Sequence, residues 1–71
     1  MARILEITEK IPRPAELEDG MYTGVWGGYV IEVYHKDKLY SMRTDEGVRG
    51  SGIKVIVKIK NNMASFEQLS N

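Results

Sequence analysis

Nucleophilic catalysis needs a serine, threonine or cysteine held beside a tuned base. The chain has a single histidine, His35, and no cysteine. His35 stands in His35-Lys36-Asp37-Lys38, a polar stretch that reads as an exposed turn and makes it a solvated imidazole. Paired-carboxylate hydrolysis needs two acids facing each other across a cleft. Here the acids cluster in loop-like segments, Glu16, Glu18 and Asp19 in one and Asp45 and Glu46 in another. Without thiolates, and with one imidazole, neither a metal site nor a cofactor is expected. Gly47-Val48-Arg49-Gly50-Ser51-Gly52 has enough glycine to cradle a phosphate on backbone N–H groups. It lacks the Walker lysine spacing and is followed by β-branched residues, so it reads as a hairpin loop. The expectation is a protein that is not an enzyme.

Two sets of residues carry binding chemistry instead. Arg43, Lys54, Lys58 and Lys60 beside Tyr34 would suit nucleic acid, with phosphates on the cations and a base on the ring. The same lysines would also keep a strand face soluble and discourage edge pairing. Trp26, Val30, Tyr34, Leu39 and Ile56 form an apolar set that, on an outer face, would bind a protein partner or a second copy. Trp26 belongs to that set only if the strand pattern runs unbroken through Gly27-Gly28. A bulge there turns Trp26 into the core, the usual place for tryptophan in a small domain.

Three runs alternating at period two must position these residues: Tyr29 to Tyr34, Leu39 to Thr44, and Ile53 to Lys60. Such alternation specifies strands with one apolar and one wet face. A two-residue turn at Lys36-Asp37 pairs position 35 with 38, Val33 with Tyr40 and Ile31 with Met42. Tyr29, Ile31, Val33, Tyr40 and Met42 then share the inner face. Val30, Glu32, Tyr34, Leu39, Ser41 and Arg43 share the outer one, with Glu32 opposite Ser41 or Arg43. In the third run Ile53, Val55, Val57 and Ile59 point inward, and Lys54, Ile56, Lys58 and Lys60 outward. A one-residue slip would expose every apolar side chain, so the register is strongly specified.

The flanking segments are less regular. Arg3 to Ile7 reads as an edge strand, and Ile11-Pro12-Arg13-Pro14 as an extended connector. Ala15 to Gly20 reads either as one helical turn or as an acidic loop ending in Asp19-Gly20. Gly27-Gly28 marks a bulge or bend of the kind that turns the corner of a small barrel. Asn61-Asn62 closes the third run. In the tail, Met63 to Leu69, Ser65 and Gln68 resemble a capping box, yet a last strand fits equally.

The expected fold is therefore a single small domain, residues 1–71, mostly β. It is a strongly bent antiparallel meander joined by the N-terminal strand, with at most one short helical turn. Its layout is loosely similar to the small SH3-like barrels, a likeness of fold only. A domain this small buries only about 60% of its unfolded surface, and without disulfides or a metal a homodimer is the remaining common support. The formal charge is zero, but residues 36–60 carry seven basic against three acidic side chains, and the remainder balances them. Zero net charge argues against a nucleic-acid binder driven by bulk charge, while a local patch stays open. No apolar run is long enough to span a bilayer, and the first ten residues lack an uninterrupted apolar segment. With no cysteine, these features favour the cytoplasm and no membrane partner. Met21 and Met63, like Met42, are expected to fill gaps. The function expected is an interaction module with a protein partner and self-association; the alternative is a nucleic-acid-binding regulator.

Overall fold

The computed structural model describes residues 4–69, with side chains from residue 10 onward. Four strands follow in order: β1 (Ile4–Pro12), β2 (Gly20–His35), β3 (Lys38–Lys60) and β4 (Met63–Leu69). They form one antiparallel sheet in the order β1-β4-β3-β2, so β2, β3 and β4 are a meander and β1 returns to the far side of β4. Among the described residues there is no helix.

The β2–β3 hairpin has the register set by the inner and outer parity. His35 pairs with Lys38, Val33 with Tyr40 and Ile31 with Met42. Lys36 and Asp37 both lie in the left-handed region, at φ 50° and 62°, as a two-residue primed turn requires. Asn61 and Asn62 repeat the device at φ 52° and 65° between β3 and β4, where Lys60 pairs with Met63. Asparagine tolerates that conformation better than other residues with a Cβ, whereas Lys36 has no such advantage.

The bend falls at the glycine pair. The four steps of β2 from Trp26 to Val30 are opposed by the ten steps of β3 from Arg43 to Ile53, with Gly28 paired to Val48 between them. β3 thus carries its surplus residues through the glycine-rich segment as bulges within a continuous strand, not as a separate loop. Gly28 supplies the positive φ, 59°, that reorients β2. The two halves of β2 then cross closely at Gly24. A Cβ there would lie 3.0 Å from the Glu32 carbonyl oxygen and 3.0 Å from Val33 Cγ2.

This crossing buries the inner faces of both halves against each other. Ile31, Val33, Met42, Val55 and Val57 are all buried, as their parity requires. Trp26, Ile59, Ala64 and Phe66 join them, with the Trp26 and Phe66 rings edge-on at 4.8 Å between centroids. Tyr29 departs from its expected place. The register shift at Gly28 puts it outside, 58% exposed, with its ring against Gly47.

The flanking segments correct the sequence reading at Pro12 and decide between the open alternatives at two other places. First, β1 continues through Pro12, which pairs with Met63; the strand is at the sheet edge, where a missing N–H is tolerated. Arg3 lies outside the described residues. Second, Ala15-Glu16 is a single turn closed by the Leu17 N–H donating to the Pro14 carbonyl at 3.1 Å, which drops Leu17 into the core. Third, Met63 to Leu69 is a strand, because pairing on both sides outweighs the local capping signal.

The loop after β1 is clasped to the β3–β4 turn. Arg13 Nη2 donates to Asn62 Oδ1 at 2.7 Å, and Arg13 Nη1 lies 3.8 Å from Asp19 Oδ1. The Asn61 N–H donates to Asp19 Oδ2 at 3.2 Å. Asp19 is therefore a structural acceptor and not merely a solvated loop acid.

Candidate interaction surface

The outer face takes its side chains from the alternate positions of β2, β3 and β4. On the second half of β2, Tyr34 and Leu39 oppose each other across the ladder and are 73% and 46% exposed. Val30, opposite Arg43, is half-buried, and so is Ile56, which lies between Thr23 and Glu67. Glu32 is opposite Ser41, not Arg43.

Trp26 leaves this set. The bulge turns its ring inward, 3% exposed, and its Nε1 is buried without a hydrogen-bond partner. Val25, the preceding residue, takes the outward place opposite Lys54 and is 42% exposed. The signal for Val25 was its parity with Thr23 and Met21, ahead of the glycines. Met21 and Met63 are also exposed on this face and do not fill gaps, whereas Met42 is in the core.

Two shallow grooves cross the surface where the halves of β2 meet. One, of about 350 Å³, is lined by Thr23, Gly24, Val25, Glu32, Tyr34, Lys54, Val55 and Leu69. The other, of about 440 Å³, is lined by Val25, Gly27, Val30, Glu32, Ser51 and Gly52. Val25 and Glu32 belong to both. The fold thus brings Tyr34, from one end of the hairpin, to Lys54, near the other, through a bend that linear spacing does not reveal.

The basic residues are less united. Lys54, Lys58 and Lys60 project from one half of the sheet and Arg43 from the other. Lys58 Nζ donates to Glu67 Oε1 at 2.5 Å, so an acid already shares its charge. His35 is half-buried and not a free turn imidazole; its ring meets Tyr22 edge-on at 5.0 Å. The Tyr22 hydroxyl donates to the Glu18 carbonyl at 2.8 Å, and the Thr44 hydroxyl to that of Glu46 at 2.7 Å. These contacts tie down loops. Among the described residues, no group of three or more histidines and acids is placed to hold a metal ion. No helix of the described residues is long and apolar enough to cross a membrane.

Comparison with family models, with curated proteins and with solved structures gives no match.

Proposed function

We infer that this protein is a non-enzymatic interaction module that acts through a protein partner and through self-association. The contact face is the outer surface around Val30, Tyr34, Leu39 and Ile56, with Val25 in the place expected for Trp26. The observation that carries this reading is the exposed Tyr34–Leu39 pair beside a largely apolar groove. Contiguous apolar surface of this kind on a small domain marks an interaction site more often than a chance exposure. A cytoplasmic setting fits the cysteine-free composition.

Replacing Tyr34 and Leu39 together by serine tests the reading. Both side chains point outward, so the thermal midpoint of dilute protein should hardly change. In sedimentation equilibrium the wild type should gain mass with concentration at micromolar levels, and the double variant should not. If the double variant associates as strongly as the wild type, this face is not the contact between copies.

The second reading, a nucleic-acid-binding regulator, is favoured by Tyr34 and Lys54 lining one groove, with Lys58 and Lys60 on the same half of the sheet as Lys54 and Arg43 on the other. Replacing a lysine that touches a phosphate should flatten the salt slope of log K by about 0.7 for single strands and about 0.9 for duplex. Tyr34→Ala should cost about 1–3 kcal/mol if a base stacks there. Titration of a fluorescent oligonucleotide at two salt concentrations decides it: no binding at low salt removes this alternative.

A further inference from the structure

Within the largely apolar groove, two charges of opposite sign stand on different segments of the fold. Glu32 comes from the second half of β2 and Lys54 from β3, and both are exposed. Among the described residues, neither side chain has an ion-pair or hydrogen-bond partner within the chain. The other side chains that matter for contact are Val25, Tyr34 and Leu69.

We propose that this groove is one half of an isologous interface, and that its occupant is a second copy of the chain, placed so that Glu32 of each protomer meets Lys54 of the other. The proposal rests on the self-association reading above and gives it a geometry. In a two-fold interface, residue i of one protomer contacts residue j of the other, and j contacts i. A groove with one acid and one base satisfies that rule with two attractive pairs, whereas a groove of one sign would repel its copy. Nucleic acid is the poorer occupant, because Glu32 would face the phosphates. The adjoining groove, sharing Val25 and Glu32, widens the same face. A standard interface takes about 800 Å² from each partner. Of the 5160 Å² that the chain exposes, that is about a sixth.

Charge reversal tests this directly, because both positions are exposed and neither substitution touches the core. Glu32→Lys alone places two bases in the groove, and Lys54→Glu alone places two acids. Each single variant should weaken self-association by about tenfold or more, the effect growing at low salt. The two single variants mixed should form a heterodimer. The doubly reversed protein, which keeps the wild-type net charge, should dimerise again. Thermal melts of dilute samples confirm that every variant is folded. If the wild type associates and the Tyr34/Leu39 serine variant does not, yet charge reversal changes nothing, the two-fold pairing is overturned and the apolar face survives as the contact surface. A wild type that stays monomeric at every concentration overturns the proposal and leaves a different protein as the occupant of that face.

Discussion

Two glycines in β2 do different physical work, and substitution separates them. At Gly24 the obstacle is the Glu32 carbonyl, main chain that cannot swing aside. Gly24→Ala should therefore cost about 1–3 kcal/mol, the usual range for overpacking. At Gly28 nothing lies within 4 Å, and the constraint is φ 59° alone. Gly28→Ala should cost about 1–2 kcal/mol, and Gly28→Asn less, since asparagine accepts the left-handed region. Urea unfolding of the three variants checks both halves: asparagine should rescue position 28, and no polar residue should rescue position 24. The sequence announced the second kind of glycine, because a pair inside a strand pattern signals a bend. It was silent on Gly24, whose neighbours Ile31 to Val33 come close only after the bend is made. Trp26 follows the same logic. Its side was open in the sequence because it depended on a bulge, and the bulge places it against Phe66.

The elements with strict alternation were legible almost residue by residue. Each run has its own internal check, since one slip exposes the whole apolar set, and β2 and β3 pair as that parity demands. β1 and β4 were harder to read because long-range pairing decides them. Pro12 looks like a breaker until it is seen at an edge, and the tail's capping signal gives way once two neighbouring strands are present. The turns make a cleaner case. Both hairpins need two consecutive residues at positive φ, yet only Asn61-Asn62 is suited to it; Lys36-Asp37 is strained by comparison. Replacing Lys36-Asp37 by Asn-Gly should stabilise the domain by about 0.5–2 kcal/mol, read as a higher denaturation midpoint with an unchanged denaturant slope. The outer surface was partly legible. Tyr34, Leu39 and Lys54 could be assigned to it, but their meeting in one groove could not, because that depends on how sharply β2 folds over itself.

For the whole molecule, the core is one bent sheet closed on its own inner face, with exposed apolar residues left on the other side. If a second copy covers them, folding and association are linked, and the melting temperature should rise with protein concentration. Calorimetry over a hundredfold dilution series should show this for the wild type and not for the Tyr34/Leu39 serine variant. The strand order also bears on the timing of folding. The β2–β3 and β3–β4 pairings are joined by two-residue turns, whereas Ile4 reaches Leu69 only by spanning nearly the entire sequence. Loop-closure entropy opposes that last pairing until the meander exists to receive it. Weakening a turn, as by Asn61→Val, should then mainly slow refolding, while Ile11→Val should mainly speed unfolding. In a stopped-flow chevron, the first substitution would lower the refolding arm and the second raise the unfolding arm, so β1 would act as a latch on the native state, closing late and setting how long the protein stays folded.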